Sequence, residues 1–163
     1  MGMQRGRPWM PGYGIEEGDE GLLDWEAVRD RLRDSHNYWL STVRPDGRPH
    51  AMPVWAVWLG DAVWFSSSVR SRKIRNLRAN PACTITTEDG RAPVIVDGTA
   101  DVVTDTDRIR AFLDATNAKY QAGLELSFLD PDVNATVRIA PSDVFALEEA
   151  RFTRTPTRFR PHP

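Results

Sequence analysis

Two apolar runs, Tyr38 to Val43 and Ala51 to Leu59, are separated by Pro45-Asp46-Gly47, and that turn decides what the chain can fold into. Proline presets φ, aspartate bonds the backbone of its neighbours and glycine takes φ > 0, so the runs turn back on each other as antiparallel strands. A second turn at Gly60-Asp61 starts a third run, Ala62 to Phe65, which ends in Ser66-Ser67-Ser68. The run Ala51 to Leu59 is apolar on both faces, which predicts burial on both sides. Pro53 inside it cannot donate to a ladder and belongs at an edge or an irregularity. One reading sets the backbone of Pro53-Val54-Trp55 against a bound ring; the other makes it an ordinary edge strand. Trp39, Trp55, Trp58 and Trp64 crowd these strands, where such aromatics commonly form core.

The serines lead into a basic stretch, Arg70 to Arg78, closed by Asn80-Pro81. Ser71 is placed to cap a short helix there. Unpaired N–H groups and the dipole favour an anion at a helix start, and Arg72 and Lys73 add full charges in the first turn, so the place suits a phosphate. The competing reading is a solvated basic helix face. The net charge over 163 residues is -2, so the basic stretch is a local feature of an acidic protein. That argues for a small ligand and against nucleic acid.

The remaining chain reads as strands and helices without βαβ alternation. Asp24 opens a helix carrying Trp25, Val28 and Leu32 on one face and ending near Ser35. Strands are predicted over Ala82 to Thr87, Pro93 to Val103, Thr136 to Ile139 and Val144 to Glu148, the last two separated by a Pro141-Ser142 break. A helix from Asp105 or Thr106 carries Ile109, Phe112 and Leu113 and ends before Gly123, and a short helix is predicted from Leu124 to Leu129. Residues 1–21 lack periodicity and read as a mobile or draped arm, 22–150 as the core domain and 151–163 as a tail. Six or seven strands with two or three helices make an α+β chain, mainly β, best arranged as a closed or split antiparallel barrel. Its apolar strand surface exceeds what one such barrel covers, which predicts a dimer. Cys83 is the one cysteine and the three histidines are scattered, so no metal-ligand spacing is present. No run has the length of a membrane span, and the expected location is the cytoplasm.

The order PDGRPHAMPVW, apolar strand, WFSS, then SRKIRNLRANP resembles the pyridoxamine 5′-phosphate oxidase-like superfamily of flavin and deazaflavin oxidoreductases, most closely its actinobacterial F-420-dependent members. The resemblance covers roughly Leu22 to Val103 and, weakly, the Thr-Arg-Phe-Arg tail. It implies a split β-barrel homodimer with a cofactor groove at the subunit interface. It also implies that Met52, Pro53, Val54, Trp55 and Ala56 lie along the cofactor ring, while Ser66, Ser67, Arg72 and Lys73 hold its phosphate. Pro93 stands near where the vitamin oxidase itself has glutamine, and the longer C-terminal substrate region of that enzyme has no counterpart here, which argues against pyridoxamine-phosphate oxidation. The Pro-Val-Trp sequence points to the deazaflavin coenzyme F-420, with FMN as the alternative and a non-catalytic cofactor or haem binder as a third reading. No residue stands out as acid, base or nucleophile. His50 is the nearest, and a structural role suits it better. In such enzymes the cofactor carries the chemistry.

Overall fold

A computed structural model of the chain describes residues 2–162. Met1 and Pro163, the outermost residues of the arm and the tail, lie outside them. In chain order the strands and helices are β1 (Met3–Gly6), α1 (Trp25–Asp34), β2 (Tyr38–Val43), β3 (Pro49–Val54), β4 (Val57–Leu59), β5 (Ala62–Ser68), α2 (Arg72–Ala79), β6 (Ala82–Thr87), β7 (Val94–Val103), α3 (Thr106–Tyr120), β8 (Asn134–Ala146) and β9 (Thr157–Pro161). Short 3-10 turns occupy Leu126–Leu129 and Glu149–Arg151. All strand pairs are antiparallel, along the path β1-β9-β8-β7-β6-β2-β3 with β5 and β4 branching from β8. The sheet does not close on itself, which makes it a split barrel.

Alternation explains which faces are buried. Tyr38, Leu40 and Thr42 of β2 point inward, as do Cys83, Ile85 and Thr87 of β6, and these faces meet Val94, Val96, Val137, Ile139 and Phe159 in the main core. Fully burying side chains of this size stabilises by about 1.5–3 kcal/mol each relative to exposure. A second cluster forms where α3 sets Ile109, Phe112 and Leu113 against Val57, Ala62, Trp64 and Leu129. Helix starts follow the sequence: Asp105 caps α3 by accepting from Arg108 N at 2.9 Å. Asp24 occupies the N-cap of α1, but its carboxylate pairs with Arg5 instead of capping.

Several strand boundaries differ from expectation, each for a local reason. The run Ala51 to Leu59 is not one strand buried on both sides. It breaks at Trp55-Ala56, and β3 is the terminal strand of the path, with Ala51, Met52 and Pro53 exposed. Pro53 pairs with Trp39 in register, and its missing N–H is tolerated at that edge. Trp39 and Trp55 are accordingly about half exposed rather than core, at 48% and 47%. The third strand does not stop at the serines: Ser66, Ser67 and Ser68 pair with Thr136, Ala135 and Asn134. The break expected at Pro141-Ser142 is absent, and β8 runs through it. On one edge β5 ends its pairing at Ile139 and β9 begins at Val144, so Pro141 falls in an unpaired gap. On the other edge it faces Gly98, where the β7 register shifts. A Cβ at Gly98 would lie 2.5 Å from the Ala140 carbonyl oxygen, so only glycine fits there.

The ends of the chain meet. Met3 to Gly6 pair with Pro161 to Arg158, and Arg7 donates to the carbonyls of Gly18, Glu20, Arg154 and Pro156. No helix among the described residues is long and apolar enough to cross a membrane.

Candidate functional site

β5 delivers its serines to the start of α2. Ser71 Oγ accepts from Ile74 N at 3.4 Å as the helix cap. Ser67 Oγ lies 3.2 Å from Ser71 Oγ and accepts from Lys73 Nζ at 3.2 Å. The first turn holds no acidic residue, and no carboxylate among the described residues pairs with Arg72 or Lys73. Burial lowers the Lys73 pKa from its ordinary value. Two cations without counter-charge, two hydroxyls and a helix start form an anion-binding arrangement. Buried Asn76 fixes the helix to the hairpin by donating to Thr42 Oγ1 at 2.9 Å.

A cavity of about 260 Å³ runs from this corner to the strand break. Six of the residues singled out in the sequence line it together: Pro53, Val54, Trp55, Ser66, Ser67 and Lys73. Three do not line it. Met52 is exposed beside it on β3, Ala56 is buried behind it, and Arg72 is exposed at the helix start. The facing wall was missed in the sequence: Phe112 and Thr116 from α3, then Leu124 and Phe128. Phe112 gave a signal only as a helical-period core residue, and it serves both purposes. Leu124 is set in place by Asn117, which donates from Nδ2 to its carbonyl and accepts from its N–H, both at 2.8 Å. Phe128 is 45% exposed and follows no pattern that a sequence would show.

His50 does not line the cavity. Its Nδ1 is buried with no partner among the described residues, and desolvation followed by the charges of Arg44, Arg72 and Lys73 lowers its pKa, so near neutral pH the ring is uncharged. At the other end of the cavity Trp55 stacks on Tyr120 at 4.4 Å with planes 4° apart. Lys119 Nζ donates to Tyr38 Oη at 2.7 Å and to the Ala56 carbonyl at 2.9 Å, and lies 4.7 Å from the centre of the Tyr38 ring. Burial lowers its pKa to about 8 and, by the same cause, raises that of Tyr120 to about 12 and that of Tyr38 still further. The folded form therefore releases the Lys119 proton near pH 8, the unfolded chain near 10.5. Between these values the unfolded chain binds more protons, so stability rises with pH. Above about pH 10 the raised tyrosines reverse the trend, because the unfolded chain loses their protons first. Thermal melts from pH 7.5 to 10 are expected to show a rise in the parent, relative to the Lys119→Met variant, that begins near pH 8.

Residues 24–152 match the family described as pyridoxamine 5′-phosphate oxidase. The chain belongs to that family. Solved structures similar to this pyridoxamine 5′-phosphate oxidase family chain include a conserved hypothetical protein from Mycobacterium tuberculosis, at TM-score 0.70 and 20% identity over 83% of this chain and 91% of that one. A protein named F420 reductase aligns at TM-score 0.60 and 27% identity, over 75% of this chain and 96% of that one. A heme binding protein from Mycobacterium smegmatis aligns at TM-score 0.63 and 18% identity, over 82% and 62% respectively. No curated protein sequence matches the chain. The family fold is a flavin-binding one, common among oxidoreductases, and the residues present fit such a group: a cation and hydroxyls for a phosphate at one end, an edge strand and aromatic walls for a ring at the other.

Proposed function

We propose that this protein binds a deazaflavin, coenzyme F-420, through the cavity between β3, α2 and α3 and serves hydride transfer between the reduced cofactor and an electron-poor small molecule. The observation that carries this reading is the continuity of the cavity from Lys73 and Ser67 to the backbone edge at Pro53-Val54-Trp55, without a carboxylate, histidine or cysteine among its lining residues. The chain's part is to bind, orient and exclude water. Lys73, Ser67 and the α2 start hold the phosphate, with Arg72 adding charge from outside. The open edge of β3 offers backbone groups to the polar rim of the ring, while Phe112, Leu124 and Phe128 cover an apolar face. Reduced deazaflavin, with carbon where flavin has its reactive nitrogen, supplies two electrons as a hydride and resists oxygen. The likeness to the protein named F420 reductase supports this choice.

A homodimer belongs to the same proposal. At about 260 Å³ the cavity falls below the roughly 300–1,000 Å³ of typical small-molecule sites. Trp39, Val43 and Met52 lie exposed on the neighbouring hairpin. A second copy would cover that surface and complete the groove. We place the protein in the cytoplasm. FMN is the alternative cofactor. Haem is less supported, because no His, Cys, Met or Tyr lines the cavity to ligate iron.

Titration with F-420, FMN, FAD and haem tests the reading, and F-420 is expected to bind tightest. A yellow protein retaining FMN through gel filtration would overturn the choice of deazaflavin. A charge-assisted contact contributes about 1.5–3 kcal/mol, so Lys73→Ala is expected to weaken binding by roughly tenfold to a hundredfold with the melting temperature unchanged, and Arg72→Ala, which removes a charge outside the cavity, by less. Unchanged affinity in both variants would remove the phosphate assignment.

A further inference from the structure

Ala56 sits in the break between β3 and β4, where a continuous strand would have paired its peptide groups. Side chains from the last turn of α3 take them instead. Tyr120 Oη accepts from Ala56 N at 3.0 Å and lies 2.9 Å from the Ala56 carbonyl oxygen, which also accepts from Lys119 Nζ at 2.9 Å. The tyrosine hydroxyl has a second acceptor within reach, the His36 carbonyl at 2.8 Å. A hydroxyl has one proton, so it cannot serve both carbonyls at once. With Lys119 supplying Ala56, the Tyr120 proton is free for His36, and three segments are held together: the loop before β2, the break and the end of α3. The rings repeat the connection, since Tyr120 stacks on Trp55 and meets His36 edge-on at 5.4 Å.

Lys119 is costly for packing alone. Its ammonium is half-buried, has no carboxylate partner among the described residues and is met by two aromatic rings, Tyr38 at 4.7 Å and Tyr120 at 5.2 Å. A methionine of similar length would fill the space without burying a charge. What it would not do is hold the Ala56 carbonyl. We propose that Lys119 and Tyr120 are positioning residues for the groove: they hold the strand break at Ala56 so that Trp55 and the preceding backbone stay turned toward a bound ring. This rests on the ring-binding reading given above.

The test compares the parent with Lys119→Met and Tyr120→Phe, measuring affinity for F-420 and FMN, affinity for inorganic phosphate, and melting temperature. Lys119→Met is expected to melt at or above the parent temperature near pH 7, bind inorganic phosphate as the parent does, and lose about tenfold in affinity for whichever ring the parent binds. Tyr120→Phe, which leaves the Ala56 N–H without its partner, is expected to lose at least as much ring affinity, again with phosphate binding intact. Ring affinities equal to the parent's in both variants would overturn this inference alone. So would parallel losses of ring binding, phosphate binding and melting temperature, the signature of a merely structural role. A parent that binds neither ring would overturn the functional reading and this inference with it.

Discussion

Val54→Asp is expected to leave a folded protein that has lost its affinity for a flavin or deazaflavin ring by more than about a hundredfold, while inorganic phosphate still binds weakly at the α2 end. Val54 lines the cavity and is half-buried on the terminal strand of the sheet, so a carboxylate there keeps access to water. A flat apolar ring placed against it would remove that water, and an ionised group desolvated without a partner costs several kcal/mol. A purely structural edge strand would respond differently, keeping the fold and leaving any ring affinity at the parent value. Circular dichroism together with separate ring and phosphate titrations distinguishes the outcomes. Unchanged ring affinity, or a melted domain, would return Pro53 to Trp55 to a packing role.

The second large effect is at a residue that does not line the cavity. Phe159 of β9 is fully buried and packs at 5.3 Å against Trp25 of α1. Phe159→Ala is expected to cost about 3–5 kcal/mol, the range for deleting a buried aromatic ring. In a domain of this size that lowers the melting temperature by roughly 6–20 °C. A shift under about 2 °C would mean that β9 is dispensable to the core.

Much of the architecture was legible because hydrophobic period and turn chemistry agreed. β2 and β6 carry the boundaries expected from their apolar runs, and α1 and α3 begin where Asp24 and Asp105 suggested. What stayed hidden depends on contacts distant in sequence. Pro141 reads as a break until β8 is seen to have different neighbours on either side of it. β1 and β9 were not read as strands because each is only four or five residues long, and β1 takes its order from β9 and from Arg7 bonds to remote carbonyls. Around the cavity, Ser66, Ser67, Lys73 and Pro53 to Trp55 could be singled out because cations, hydroxyls and a misplaced proline are conspicuous in a sequence. The opposite wall was not, since Phe112, Leu124 and Phe128 look like any apolar residues of a helix and its exit. Lys119 was missed for a further reason: a lysine near the end of a helix ordinarily marks solvent, and only the fold brings Tyr38 and Ala56 around it.

The meeting of β1 with β9 has a consequence for how the molecule is made. During synthesis the first strand has no partner until the last strand has left the ribosome, and the second half of β8 waits on one edge for the same segment. Contacts this distant in sequence are slow to form, because the loop must close before any bond rewards it. The nascent barrel therefore spends translation with an unpaired edge, the condition in which chaperone contact or pairing with another chain competes with folding. Once complete, the order reverses: β1 amides should exchange with solvent fastest among the strands and those of β8, flanked over most of its length, slowest.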